Sequence, residues 1–416
     1  MADYLHNPLN NQEVNQRSKR VWMAIVLGSL SAFGPLSIDM YLPALPNIAK
    51  DFQSNPSFVQ LSLSFFVIGL ASGQLLAGPI SDISGRRKPL LIGLILYFIA
   101  SLLCVFSPSI WVLIFLRLLQ GLAGSAGIVI SRAIVRDLYS GSELTKFFAL
   151  LALVNGLAPI LAPVVGAQLL KFVPWQGVFI VLSVIGIVMF FVVLFGLPET
   201  LSKEKRSEGG IKNTYKTFLK LILDRSFMGY ALAQGLVFAA MFAYISGSPF
   251  VVQNIYGASP QMFSLIFAIN AVGIMINSQT AGRLAGRIHE SKLLAFGLGT
   301  SSIGGIVLLV LLLVHAKLIF ILIPLFFVVS SVGMVNTAGF SLAMQSQGNN
   351  AGSASALLGV MSLSFGGIVA PLVGIGGGQT AIPMGITIVC AGCGAVLSYL
   401  LLVKRKHEKN NKQLYI

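Results

Sequence analysis

Charge is scarce in this chain of 416 residues: 10% are Asp, Glu, Lys or Arg, and 13 are acidic. Soluble domains carry about a quarter charged residues, and no water-soluble fold could cover a chain that is 56% hydrophobic with so few polar groups. A soluble protein is excluded. Cysteine is nearly absent as well. Cys104, Cys390 and Cys393 all fall in apolar runs, which leaves no disulfide framework. The CAGC spacing of Cys390 and Cys393 lacks the second pair that a zinc or redox site needs, so it reads as helix packing. The four histidines, His6, His289, His315 and His407, show no metal-ligand spacing, and no GxxxxGK[ST] phosphate loop occurs. A metal centre, a membrane enzyme with a catalytic cluster and direct nucleotide hydrolysis all lack their residues.

Long apolar runs are abundant. A membrane span needs roughly 20 mostly apolar residues, and runs of that kind can be bounded at 21–45, 57–80, 89–107, 110–134, 146–171 and 176–197. Six more follow at 227–250, 261–282, 292–313, 317–341, 352–374 and 381–403, each closed by Pro, Gly or charge. The first run is too long for a signal-peptide core and lacks a small-residue cleavage site, so it is expected to be retained. The expected organisation is a tail over 1–20, a six-helix bundle over 21–197, a linker over 198–226, a second bundle over 227–403 and a tail over 404–416. The Lys-rich later part of the linker could lie as a helix on the inner leaflet.

The net charge of +15 does not call for nucleic acid, because cytoplasmic loops collect Lys and Arg. The basic residues gather near Arg17, at Arg86 to Lys88, at Arg132, Arg136 and Lys146, in the linker, at Arg283, Arg287 and Lys292, and in the final tail. Only Lys50, Lys171 and Lys317 fall in turns on the opposite side. That asymmetry places both termini in the cytoplasm. The halves echo one another, with GPISDISGRR after the second span and GRLAGRIHES after the eighth, pairing Gly78 with Gly282. Duplicated bundles of this kind suit a transporter with its site between the halves near the midplane.

Deep in apolar runs stand one acid, Asp39 in GPLSIDMYLPALP, and one base, Arg117 in IFLRLLQG. A charge at membrane depth costs about 2.5 to 3.5 kcal/mol on insertion scales, so such residues usually face a cavity and mark a pathway. Two readings stand. Either Asp39 and Arg117 form a structural ion pair, or Asp39 sits near the outer interface because Pro43 and Pro46 soon end its span, and neither has a transport role. Alternatively Asp39 is the coupling carboxylate, with Arg117 as a partner that can switch.

The same residues carry a resemblance over nearly the whole chain. GPLSIDMYLPALPNIAKDF is similar to the first-span signature of the bicyclomycin and chloramphenicol resistance (Bcr/CflA) branch of drug:proton antiporters in the major facilitator superfamily. GPISDISGRRKPLLI resembles the superfamily's loop motif, with Gly78, Asp82, Gly85, Arg86 and Arg87 at its spacing. RLLQGLAGSAGIVISRAIVRDL resembles the fourth-span motif with its arginine at Arg117. NGLAPILAPVVGAQL resembles the fifth-span antiporter motif, with Gly156, Pro159, Pro163 and Gly166 in a double-proline variant. The resemblance implies an all-α membrane fold of twelve helices in two six-helix bundles. It implies multidrug efflux by antiport with protons, proton coupling through Asp39 and Arg117, and a charge latch from the loop motif holding the bundles together on the cytoplasmic side. Because Gly286 replaces Asp82 in the echo, the first half should carry the latch. The fifth-span motif favours export over uptake. The setting implied is a bacterial cell membrane, with no cofactor, the proton motive force as drive, protons, lipid and a small-molecule drug as partners, and a monomer.

The substrate cavity is expected to be apolar and aromatic with few polar groups. Asp39, Tyr41, Asn155, Gln234, Phe242, Tyr244 and Asn270 are its candidate lining, although each could equally be a packing residue. Chloramphenicol-like or bicyclomycin-like antibiotics are the candidate substrates, and an amino acid or sugar metabolite is the alternative.

Overall fold

The computed structural model describes residues 21–206, 218–345, 347, 351–376 and 378–404. Among them the chain is helical, and its one β feature is a lone bridge between Ala285 and Ile288. The first span, α1, has two arms, Val21–Ser31 and Phe33–Asp51, that meet at 44°. The first half continues with α2 (Pro56–Ser84), α3 (Arg87–Val105), α4 (Ile110–Leu138), α5 (Gly141–Leu169) and α6 (Gln176–Gly196). The second half holds α7 (Arg225–Phe250), α8 (Pro260–Leu284), α9 (Glu290–Leu313), α10 (Leu318–Met344), α11 (Ala351–Val369) and α12 (Ile382–Tyr399). Eleven of these, some with a short extension, are long and apolar enough to cross a membrane, and α1 makes twelve if its arms count as one span. The expected tails over 1–20 and 405–416, and the Lys-rich part of the linker over 207–217, lie outside the described residues.

Helix starts follow from short polar side chains that satisfy free backbone N–H groups. Asn55 accepts from the Ser57 amide, Asp224 from those of Ser226 and Phe227, and Ser259 from that of Met262. Pro56 and Pro260 follow two of these caps, where a missing N–H costs nothing. The same chemistry corrects the expected end of α1. Pro43 and Pro46 do not stop the helix: they occupy the first turns of a 3₁₀ segment, Leu42–Ala44, and of the α-helix Leu45–Asp51. Asp39 therefore lies well inside the span.

Each half contains a close backbone-to-backbone crossing at a matching place. A Cβ at Gly121 would strike the Phe66 carbonyl of α2, and one at Gly69 would strike the Leu118 carbonyl of α4. In the second half Gly333 of α10 meets the Ile274 carbonyl of α8 in the same way. Small residues permit this approach, which in lipid supplies packing that the hydrophobic effect cannot. The outside is apolar: Phe296, Ile303 and Val310 stand a heptad apart on α9, and all are more than half exposed. With lipid around them they need no protein partner.

Trp22 of α1 packs on Gly196 of α6, so the start of α1 and the end of α6, where the linker begins, share one end of the molecule, the linker end. At the far end the halves meet. Gln60 of α2 donates to the Ser246 carbonyl (3.0 Å), Gln261 of α8 to the Ala167 carbonyl (2.8 Å) and Ser264 to the Pro163 carbonyl (2.9 Å). Gly374, just beyond α11, lies hard against Ser57 and Gln60.

Candidate functional site

Between the halves lies a cavity of about 360 Å³, walled by α1, α2, α4, α5, α7, α8, α10 and α11. Its surface is mainly apolar, with Ile38, Leu70 and Ile128 from the first half and Phe238, Phe242 and Phe267 from the second. Tyr244 stacks on Phe267 at 5.6 Å between ring centroids, and Phe238 lies 5.2 Å from Phe242. Of the candidate lining, Asp39, Asn155, Phe242, Tyr244 and Asn270 are all present in this wall. Asn270 donates to the Tyr244 hydroxyl at 2.9 Å, and Asn155 to the Leu151 carbonyl at 2.9 Å. Asp39 is 5% exposed, and its carboxylate has no hydrogen bond or ion pair within the protein among the described residues. Nothing there competes with a ligand or a proton for it.

Two of the expected lining residues lie elsewhere. Tyr41 points into the first bundle, where its hydroxyl meets Ser62 Oγ at 2.8 Å and its ring lies 5.4 Å from Phe179. Gln234 is buried near Gly339 of α10, outside the cavity wall, with Oε1 unpartnered. Both are polar groups inside apolar runs, and helical phase, which a run alone does not reveal, turns them away from the cavity.

Arg117 is fully buried inside the first bundle and does not pair with Asp39. Its guanidinium lies 4.2 Å from the Phe66 centroid and 4.7 Å from that of Tyr41. Nη1 donates to Gln120 Oε1 at 2.5 Å and Nη2 to the Ser37 carbonyl at 3.0 Å. Ser37 and Asp39 are two residues apart, about 200° round a helix of 3.6 residues per turn. An arginine held on the Ser37 side is thus behind α1 while Asp39 faces the cavity, which corrects the expectation of a direct pair. Face-on contact with aromatic rings stabilises the buried cation in place of a carboxylate.

The fifth-span motif joins the cavity to the seam. The helix α5 continues through both Pro159 and Pro163. Pro159 lines the cavity, Gly156 lies beside Met275 of α8, and Gly166 is pressed on the Met40 carbonyl of α1.

The loop motif builds a compact network at the linker end. Arg86 reaches Asp82, Ser81 Oγ (2.9 Å) and Asp137 Oδ2 of α4 (2.8 Å). Glu199, just past α6, accepts from the backbone amides of Arg86 (2.8 Å), Arg87 (3.2 Å), Thr200 and Leu201. Its carboxylate sits on the N-terminus of α3, where the free amides and helix dipole favour an anion. Partial burial works against the Glu199 charge, but those four amides together hold its carboxyl below the usual carboxylate range. At Arg86 burial opposes the charge, while Asp137 and Asp82 keep the guanidinium protonated more firmly than usual. Gly85 is required twice, since its φ is +91° and a Cβ there would collide with Glu199. Gly78 lies next to Val129 of α4. Among the described residues every partner of this network lies in the first half or in the few linker residues just past α6. The expected latch between bundles is, in this conformation, a clasp within one.

Sequence reasoning missed the partners Asp137 and Glu199, which stand far from Arg86 along the chain. It also missed Arg132, Gln74 and Asn336 in the cavity wall. Arg132 counts with Arg136 and Lys146 as basic charge of the following turn although it falls inside the run 110–134, and α4 continues past it to Leu138. Among the described residues no cluster of metal-ligating side chains occurs.

The profile of the Major Facilitator Superfamily matches residues 27–371. The chain is 46% identical over 409 residues to an uncharacterized MFS-type transporter, YdgK, of Bacillus subtilis (strain 168), covering 98% of this chain and 100% of that one. It is 31% identical over 392 residues to a bicyclomycin resistance protein homolog of Haemophilus influenzae, covering 94% and 98%. The crystal structure of a bacterial homolog to the human lysosomal transporter Spinster, inward-facing and unoccupied, superposes with a TM-score of 0.73 at 13% identity, covering 93% of this chain and 98% of that one.

Proposed function

The chain belongs to the Major Facilitator Superfamily and is a multi-span membrane transporter, and from that premise we propose that it exports small, largely apolar drug molecules from a bacterial cell in exchange for protons. The observation that carries this reading is the cavity between the halves, apolar and aromatic over most of its wall, with the unpartnered carboxylate of Asp39 in it. Its volume falls within the roughly 300–1,000 Å³ of small-molecule sites. Such walls grip by non-directional contact and discriminate weakly between shapes, and Met241 adds adaptable surface. A sugar-selective site would need hydrogen-bonding groups around most of the ligand, whereas most of this wall's surface is apolar.

In this reading the linker end faces the cytoplasm, and the cavity loads from that side while the seam at the far end is closed. Drug entry favours proton release from Asp39. When the halves rock to open the far side, protonation of Asp39 releases the drug. One charge moving across about 150 mV supplies roughly 3.5 kcal/mol, enough for a several-hundred-fold gradient. Arg117, fixed on the Ser37 carbonyl, positions the turn that carries Asp39. The prolines and glycines of α5 let the wall bend as the seam parts. The first-half clasp keeps the linker ends of α2, α3, α4 and α6 moving as one body. The proton gradient suffices as drive, so no cofactor is called for, and both halves belong to one chain, so a monomer suffices.

Everted vesicles holding a proton gradient test the proposal through proton release on adding chloramphenicol-like compounds, with the intact protein compared with Asp39→Asn. Release by the intact protein alone is the expected result. Equal release by both would remove Asp39 from the coupling, and no release by either across a broad panel would favour a metabolite substrate.

A further inference from the structure

The cavity wall holds one acid and one base. Arg132, on α4, lines the cavity and is exposed, and among the described residues it has no hydrogen bond or ion pair. Its neighbour on the same helix, Arg136, is a like charge and cannot neutralise it. The two charged groups are also kept from one another. Gly127 of α4 abuts the Leu30 carbonyl of α1. From that level Arg132 lies further toward the linker end and Asp39 further toward the far end. With a rise of about 1.5 Å per residue, their backbones are on the order of 20 Å apart along the helices. Asn336 stands across from the first half on α10, toward the linker end of that helix, and among the described residues its side-chain amide makes no hydrogen bond, so Nδ2 is free to donate to an anion. The linker-end part of the cavity thus carries a free guanidinium and a free amide, one from each half, and the far part carries the carboxylate.

We propose that Arg132, with Asn336 opposite, forms an anion subsite at the linker-end mouth of the cavity, so that the transporter takes amphipathic molecules with an apolar body and a carboxylate or similar anionic end. The inference rests on the export reading for its physiological meaning, but it concerns binding and is tested without transport. A guanidinium offers a fork of donors that fits a carboxylate, and no protein acid has to be displaced from it. The apolar body lies against Phe238, Phe242 and Phe267, further into the cavity. An anionic end at Arg132 leaves Asp39 free to hold its proton or to meet a cationic or neutral end. Zwitterions with widely spaced charges fit as well as monoanions.

The test uses the purified full chain in neutral detergent and two probes of the same shape, 4-phenylbutyrate and its primary amide 4-phenylbutanamide. Binding is measured by calorimetry for the intact protein, Arg132→Gln and Arg132→Lys. The expected result is that Arg132→Gln weakens the carboxylate about tenfold or more, leaves the amide within twofold, and is largely rescued by Arg132→Lys. Carboxylate binding to the intact protein should also weaken as chloride rises, whereas amide binding should not, which needs no variant to fold. Equal changes for both probes, no change for either, or no carboxylate binding by the intact protein would each overturn the subsite. Failure of the export reading shows separately, as absence of amide-induced proton release in vesicles.

Discussion

The turn between α2 and α3 and the turn between α8 and α9 occupy matching places in the two halves, and only the first is tied down. Around Arg86 an arginine, two aspartates and a glutamate close on one another, and Gly85 makes room for them. At the second turn Gly286 also has a positive φ, +84°, but nothing lies within 4 Å of where its Cβ would be. Arg283 and Arg287 are exposed there. Duplication preserved the backbone turn and the basic charge, but the second turn has nothing in place of Asp82, Asp137 and Glu199, and its own acid, Glu290, makes no ion pair among the described residues. Basic charge alone orients a membrane protein. It becomes structural only where acids meet it.

The comparison can be broken first at what the halves share. Gly121→Leu and Gly333→Leu should each cost about 3 kcal/mol or more, because each drives a side chain into the neighbouring backbone. Both should show as lost monodisperse protein on gel filtration. If only one half suffers, the crossings are not equivalent. A smaller effect sharpens the difference at the turns. Arg86→Ala should cost about 2–3 kcal/mol by leaving Asp137 and Asp82 uncompensated, less than a fully buried pair because Asp82 is half exposed. Arg287→Ala should stay within about 0.5 kcal/mol in the same thermal-unfolding assay. Gly85→Ala and Gly286→Ala share the cost of a left-handed residue, about 1 kcal/mol, and the first should exceed the second because of Glu199. Equal melting temperatures for these two would show that Glu199 yields freely.

The smallest effect is pH-dependent. The carboxyl of Glu199 is held below its usual range, so its contribution is present above the unfolded-state value and is lost as pH falls through the folded-state value. The melting temperature of the intact protein should fall in mild acid by slightly more than that of Glu199→Gln. Parallel curves would show that the amides bind a neutral side chain equally well.

The spans were legible because lipid demands long apolar runs, and polar caps such as Asn55 and Asp224 mark their starts. The continuation of α1 was not legible, since a proline that ends a helix and one that opens the next turn are the same letter. Asp39 stood out as the single deep acid, and five of the seven proposed lining residues face the cavity. Tyr41 and Gln234 do not, because a run that is apolar on every side carries no amphipathic phase to say which face turns inward. Arg117 was legible as special, but its aromatic cage comes from residues as distant as Phe66 and Phe179, and rings in an apolar run read as ordinary packing. Arg132 was hidden because a basic residue near the cytoplasmic end of a span reads as topogenic charge whether it faces the cavity or the membrane surface.

The hydroxyl of Ser264 bridges two carbonyls, that of Pro163 across the seam at 2.9 Å and that of Pro260 on its own helix at 2.8 Å. A hydroxyl has one proton to give, and here either acceptor can take it. When the halves separate, Ser264 swings fully to Pro260 and never becomes an orphan donor in a dry interface. The other seam donors among the described residues, Gln60, Gln253 and Gln261, are neutral amides, so parting the surfaces separates no opposite charges. The rate at which this face unfastens should therefore be nearly indifferent to ionic strength, with the barrier set by the wetting of a few carbonyls.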